Sequence, residues 1–302
     1  MELIGILNVA KPSGPTSRAV VDRVERIVRP AKAGHAGTLD PLASGVLVVC
    51  VGQATRLIQY VQQMPKTYCA TFLLGKRSET DDVEAELEDV PAAIAPTLSR
   101  VDAALADFVG EIDQRPPAHS AVKIGGKRAY ELARRGARLD LQPRKVQVHR
   151  IQQLEYDYPN LKLEIECGSG TYVRSIGRDL GEMLGTGAVM ADLVRTAIGN
   201  FHLEDALPAA EILPETISRD LQPAHVALSS LPRATLSAAQ LIEIRNGRPI
   251  LDAWLTRSNE PATSSAELAA LDATGRLVAI LQEKRPGELW PRINFSRTST
   301  TN

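Results

Sequence analysis

The sequence contains little from which to build a metal centre, a disulfide framework or a membrane anchor. Among its 302 residues there are three cysteines, Cys50, Cys69 and Cys167. None stands at CxxC or Cys/His spacing and each lies in an apolar stretch, so buried reduced thiols are expected rather than ligands. No apolar run approaches the roughly 18 residues that cross a bilayer, and no basic segment followed by a long apolar one opens the chain. The expected compartment is therefore the cytoplasm. Nucleotide-binding signatures are missing as well: there is no P-loop and no GxGxxG. Net charge is nearly absent, at -1, which taken alone argues against a nucleic-acid protein.

The distribution of charge says more than its sum. From Arg115 to Arg150 ten basic residues face two acidic ones, Glu131 and Asp140, whereas Glu79 to Asp89 holds seven acidic residues and no basic one. A neutral chain with a strong local basic field can still bind phosphates there, although a solvated helix face would read the same way. The 44% hydrophobic and 24% charged composition is that of an ordinary globular protein, long enough for one large domain and a smaller one.

The most informative stretch is Gly34-His35-Ala36-Gly37-Thr38-Leu39-Asp40-Pro41-Leu42-Ala43-Ser44-Gly45. Three glycines and a proline in twelve positions exclude a regular helix or strand. The apolar run Val46 to Val51 follows at once, so the loop should lead into a buried strand. A loop braced in this way can hold one carboxylate, Asp40, in a fixed direction. A turn whose aspartate only bonds its own backbone is the plainer alternative.

Patterns along the chain supply the rest. A strand is predicted at Leu3 to Val9. Thr16 or Ser17 caps a helix with Val20, Val21, Val24, Ile27 and Val28 on one face, ending before Pro30. Lys66 to Gly75 reads as a strand with Tyr68 near its start, and Leu98 to Val109 as an amphipathic helix. The basic segment from Gln114 should begin extended and become a short helix ending at Gly136. Strands follow at Lys145 to Ile151 and Leu161 to Cys167. A helix opens after Gly168 with Val173, Ile176, Leu180 and Leu184 on its apolar face, stopped by Gly185. Arg174 lies in its first turn, where a cation adds to an already positive end, so a specific carboxylate partner is expected. Ala206 to His225 reads as helices broken by prolines. Beyond Ser229-Ser230-Leu231-Pro232 the pattern is mainly short strands, with a hairpin around Asp272-Ala273-Thr274-Gly275. Ser258 to Ser265 looks like a linker and Arg297 to Asn302 like a polar tail.

The loop from Gly34 to Leu47 resembles, nearly residue for residue, the active-site loop of the bacterial tRNA pseudouridine synthase B family. Four further blocks resemble family motifs in the same order: Asn8 to Gly14, Lys66 to Gly75, Gln114 to Gly136 and Gly168 to Ile176, with Leu193 matching a family leucine. The likeness covers about 200 of the 302 residues. Departures stand at Ser78-Glu79-Thr80 (usually Thr-Asp-Thr), His119 (usually aromatic), Ser169 (often lysine) and Val194 (usually arginine).

The resemblance implies an α+β fold: a mixed, largely antiparallel β-sheet core flanked by helices, residues 1–229, and a small β-rich PUA-like domain, residues 230–302. It implies isomerisation of uridine 55 in the T arm of tRNA to pseudouridine, after the base has been flipped out. No atom is lost and nothing is oxidised, so neither metal nor other cofactor is expected, and the partner is tRNA met by a monomer. Asp40 is implied as the catalytic carboxylate, Arg174 as its partner and Tyr68 as the ring that stacks on uracil. Lys11, His35, Asp82, Tyr172 and Leu193 are implied around the substrate, with His35 filling the space the base leaves. Lys123, Lys127 and Arg128 are expected on stem-loop phosphates. Three routes stay open for the aspartate: attack on C1', attack on C6 or removal of the C2' proton. A tRNA-binding or folding module with its catalysis secondary or lost is one alternative, which single-turnover assay beside a binding titration separates from the enzyme; a base-exchanging transglycosylase is another, which base release into solution would support.

Overall fold

A computed structural model of the chain describes residues 3–91, 94–120, 122–124, 126–129, 132, 141–255 and 267–296. Two sheets organise it, beside the two-stranded pairs β5 (Lys76–Arg77) with β6 (Glu88–Asp89) and β8 (Lys123–Ile124) with β9 (Lys127–Arg128). The larger has ten strands, with β1 (Gly5–Lys11), β2 (Ala33–His35), β3 (Ser44–Val51), β4 (Lys66–Leu74), β7 (Gly110–Gln114), β10 (Arg144–Asp157), β11 (Asn160–Cys167), β12 (Ala188–Ile198), β13 (Phe201–His202) and β14 (Leu207–Pro208). Its main path runs β14-β1-β3-β12-β4-β11-β10-β7, parallel only at β14–β1 and β3–β12. The mixed, largely antiparallel core expected from the sequence is therefore present.

The apolar run after the Asp40 loop is unbroken because both faces of β3 are covered. Val46, Val48 and Cys50 pack with Leu57 and with Tyr60 and Val61 of helix α2 (Ile58–Gln63), whereas Leu47, Val49 and Val51 pack with helix α1 (Ser17–Val28). Thr16, not Ser17, caps α1, its side chain accepting from the amide of Ala19 at 3.1 Å. By contrast β4 alternates strictly, and Tyr68, Ala70, Phe72 and Leu74 face the helices α3 (Leu98–Ala106) and α4 (Val173–Leu184). Val173, Ile176, Leu180 and Leu184 of α4 are buried there, each contributing about 1.5–3 kcal/mol relative to exposure. Gly185 ends α4 in the left-handed region, φ 76°, as a glycine can without steric cost.

Two readings need correction. Residues 206–225 do not form sustained helices: Pro208, Pro214 and Pro223 cut the segment into β14, short 3-10 turns and the four-residue helix Ile217–Asp220, because each proline removes a backbone donor and restricts its predecessor. The second is β12, an eleven-residue strand at the middle of the large sheet where the sequence pattern predicts none. The helix expected to end at Gly136, the linker at 258–265 and the tail at 297–302 lie outside the described residues.

From Arg233 onward a five-stranded sheet forms, in the order Arg233–Thr235, Glu267–Leu271, Leu277–Arg285, Glu288–Asn294, Ile250–Leu251. Its hairpin turns at Asp272, whose Oδ1 accepts from the amides of Thr274 at 2.9 Å and Arg276 at 3.0 Å. The sheet also holds an unexpected helix, Ala238–Arg245, started by a Ser237–Gln240 capping box. Ala269, Leu277, Ile280, Ile293 and Phe295 join the five-stranded sheet to a buried cluster that also holds Leu57, Tyr60 and Val61 and, from β1 and β3, Ile6, Val46 and Val48. Among the described residues no helix is long and apolar enough to cross a membrane.

Candidate active site

A loop that buries its backbone oxygens must supply donors to them, and around Asp40 those donors are cations. Lys11, 1% exposed at the end of β1, donates from Nζ to the carbonyls of Ala43 at 2.6 Å and Pro12 at 2.8 Å, with that of Pro41 at 3.5 Å. Arg195, likewise 1% exposed, reaches across from β12 and donates to Val46 at 2.7 Å, Gly37 at 3.1 Å and Thr38 at 3.4 Å. Ser17 clamps the residue before the aspartate from both sides: its Oγ accepts from the Leu39 amide at 2.8 Å and donates to the Leu39 carbonyl at 2.9 Å. The amide of Gly14 donates to Pro41 at 2.8 Å and that of Ala43 to Asp40 at 3.1 Å. Every part of the loop is thus tied to β1, α1 or β12.

Asp40 itself is accessible, with 40% of its side chain exposed, and its Oδ2 lies 3.0 Å from Nη2 of Arg174. Arg174 is 6% exposed and held on every side. Its Nη1 donates to the carbonyl of Thr80 at 2.7 Å and its Nη2 to that of His119 at 3.0 Å. Nη1 also stands 3.4 Å from Oδ2 of buried Asp82. Thr80 Oγ1 and the amide of Glu84 bond to Oδ1 of Asp82. A planar guanidinium fixed this way presents one N–H edge to Asp40 in one orientation. Among the described residues no hydrogen bond reaches Asp40 Oδ1, while the side chain as a whole stays 40% exposed. Behind this shell, Arg178 of α4 pairs with Asp81 at 3.0 Å and donates to the carbonyl of Arg115 at 2.8 Å. Burial pushes the Asp81 carboxyl up, and Arg178 pulls it down.

The remaining expected residues fall into three groups. Tyr68 and Leu193 lie in one buried cluster with Leu39 and Ala43, beside the carboxylate. Burial raises the Tyr68 phenol, while Arg195, whose Cζ is 6.0 Å from the ring centroid, lowers it. Tyr172 caps α4, exchanging two bonds with the Gln114 side chain at 2.8 and 3.0 Å, and packs against Val122, Ala129 and Leu141. His35, half-buried, ends β2 and accepts from the Gly37 amide at 3.3 Å; burial, helped by Arg195, lowers its imidazole.

Lys11 and Asp82 are both buried, the ammonium of Lys11 bonded to the loop carbonyls and the carboxylate of Asp82 3.4 Å from Arg174. Burial lowers the Lys11 ammonium against the opposing pull of Asp40. Lys123, Lys127 and Arg128 belong to a two-stranded hairpin, but their side chains lie outside what is described. Among the described residues no three His, Cys, Asp or Glu side chains converge as a metal site.

Sequence reasoning missed Ser17 as a clamp, Gln114 as the partner of Tyr172, and Arg195. In the structure Leu193, Arg195 and Ala197 alternate with more exposed residues, which puts an arginine on the buried face of a strand, but the run Leu193-Val194-Arg195-Thr196-Ala197 has no apolar–polar alternation that would signal it.

Residues 25–173 match the family model for the TruB family pseudouridylate synthase N-terminal domain, and residues 174–229 that for the tRNA pseudouridylate synthase B C-terminal domain. The chain is 40% identical over 295 residues to tRNA pseudouridine synthase B of Dehalococcoides mccartyi, covering 96% of both chains. It is 34% identical over 334 residues to the Rhodopirellula baltica protein of that name, covering 98% of this chain and 95% of the other. Among solved structures, the chain is similar to one in a Cbf5-Nop10-Gar1 complex, with TM-score 0.71, 28% identity and coverage of 92% and 78%. A chain of an H/ACA RNP bound to a substrate RNA containing 2'-deoxyuridine gives TM-score 0.73 at 25% identity, covering 97% and 85%. With an accessible carboxylate on a braced loop, a buried arginine aimed at it and full-length likeness to these relatives, the chain belongs to the tRNA pseudouridine synthase B family and is an isomerase that converts uridine in tRNA to pseudouridine.

Proposed function

We propose that the substrate is uridine 55 in the T arm of tRNA and that Asp40 breaks and remakes its glycosidic bond. The observation that carries this reading is the Asp40–Arg174 contact at 3.0 Å, which holds one carboxylate oxygen while the side chain stays 40% exposed. The reaction cleaves C1'–N1, turns the uracil, forms C1'–C5, and moves a proton from C5 to N1. Cleavage builds positive charge at C1', and a carboxylate held against it stabilises or captures that charge. Tyr68 stacks on the extruded base and assists proton transfer at C5, with Leu193 and Tyr172 beside it. His35 occupies the space left in the stem-loop, which lowers the few kcal/mol that extrusion costs. Lys11 and Asp82 act through the loop and Arg174.

Lys123, Lys127 and Arg128 contact phosphates of the folded T arm, supported by the ten basic residues between Arg115 and Arg150. Residues 1–229 form the catalytic domain and 230–302 an appended unit. The enzyme works as a cytoplasmic monomer without a cofactor, since the rearrangement is redox-neutral and self-contained. Incubation with an isolated T-arm stem-loop, followed by mapping of the product, tests this reading: pseudouridine at the position of uridine 55 is expected. Conversion at another uridine, or only in other tRNA regions, would overturn it.

A further inference from the structure

β12 lies between β3 and β4, and Arg195 is in register with Gly45 on one side and Tyr68 on the other. The side chain is 1% exposed, and among the described residues no carboxylate lies within ion-pair distance of it. Its field also reaches Lys11 on β1, His35 on β2 and Lys66 at the start of β4, and it disfavours the charge on each. A buried guanidinium without a counter-ion among like charges is costly to fold. What it obtains in return is geometry: three carbonyls, two on the way into the Asp40 loop and one on the way out, and the Tyr68 ring 6.0 Å from Cζ. A planar fork can span those acceptors together, whereas a lysine ammonium cannot.

We propose that Arg195 is a positioning residue for isomerisation, fixing the Asp40 loop and the Tyr68 ring relative to each other through one guanidinium. The inference rests on the assignment of Asp40 and Tyr68 to the site. It places Arg195 behind both groups, so its loss slows the chemical step and leaves RNA affinity in place. The charged or titratable groups around the phenol are Arg195 from β12, Asp40 from the loop and Cys167 from β11, and of these only Arg195 is cationic.

The test uses Arg195→Lys, Arg195→Met and Asp40→Asn full-length proteins with a T-arm stem-loop. It reads thermal melting, Kd and single-turnover rate against pH. Arg195→Lys is expected to fold, to bind within about threefold of wild type and to react about 100-fold more slowly, the scale of a 1 Å misplacement. It should keep the alkaline limb of the wild-type profile because the charge remains. Arg195→Met should be at least as slow, with that limb moved to higher pH because Tyr68 has lost its cation. If Arg195→Met does not fold, the lysine variant decides. A lysine variant that reacts at the wild-type rate, loses affinity alone or unfolds would overturn the proposal. An inactive Asp40→Asn beside a fully active Arg195→Lys refutes only the role of Arg195. An active Asp40→Asn refutes the assignment beneath it.

Discussion

Around Asp40 three buried cations, Lys11, Arg174 and Arg195, direct their hydrogen bonds to backbone carbonyls, whereas the five-stranded sheet meets the rest of the molecule through Ala269, Leu277, Ile280, Ile293 and Phe295. Its polar contacts with the large sheet's side include Tyr60, which donates to Glu267 at 2.8 Å, and Arg56, which donates to the Asn294 carbonyl at 2.8 Å while lying over Phe295. Apolar packing is non-directional and tolerates small shifts, whereas hydrogen bonds from a fixed cation set distance and angle. The two regions therefore fail differently. Damage at the loop should appear in the chemistry, and damage at the small sheet in stability.

The sharpest break of that contrast is Arg174→Lys. It keeps the charge but cannot bond to the Thr80 and His119 carbonyls while facing both Asp40 and Asp82. Single-turnover rate is expected to fall about 100-fold, with Kd for the stem-loop nearly unchanged. A second comparison sets two glycines of positive φ against each other. At Gly45, φ 104°, an added Cβ would lie 2.2 Å from the Arg195 carbonyl; at Gly275, φ 80°, it would meet nothing within 4 Å. Gly45→Ala should therefore cost stability beyond the ~1–3 kcal/mol of backbone strain and lower the rate, because β12 must move away from β3. Gly275→Ala should cost only the strain, read by urea denaturation, and leave the rate alone.

Ile280→Ala tests the apolar side. Its side chain is fully buried in the docking cluster, so a loss of about 3 kcal/mol is expected in urea, with the rate per folded molecule within threefold of wild type. The smallest effect concerns Lys66, whose ammonium donates to the carbonyls of Gln62 and Met64. Burial, with Arg195 adding repulsion, pushes it down from 10.5 to about 8. Between about pH 8 and 10.5 the unfolded chain then binds more protons at this residue than the folded one, so the Lys66 contribution to stability rises with pH in that window. The difference in urea midpoint between wild type and Lys66→Met should shift in favour of wild type from pH 8 to pH 10; an unchanged difference would remove Lys66 from the account.

Much of this arrangement was legible in the sequence where residues make local patterns. The glycine-bracketed Asp40 loop, the period of α1, the alternation of β4 and the glycine stop of α4 are all set by neighbours in the chain. Arg174 announced a carboxylate partner by standing in a helix's first turn. The cations that bond to carbonyls leave no such local pattern, because a backbone oxygen has no sequence identity, so the carbonyl contacts of Lys11 and Arg195 cannot be read from the sequence. β12 escaped because Asp192 and Arg195 interrupt an otherwise apolar run. The turns at 206–225 follow from three prolines whose combined effect exceeds the apolar pattern between them.

The most direct test of the central claim, that one aimed carboxylate performs the chemistry, is single-turnover conversion of a T-arm stem-loop by Asp40→Asn beside a titration of its binding. The amide keeps the shape and one acceptor but loses the charge. Binding within a few-fold of wild type with no product at long times is the expected result. Conversion at the native rate would contradict the account.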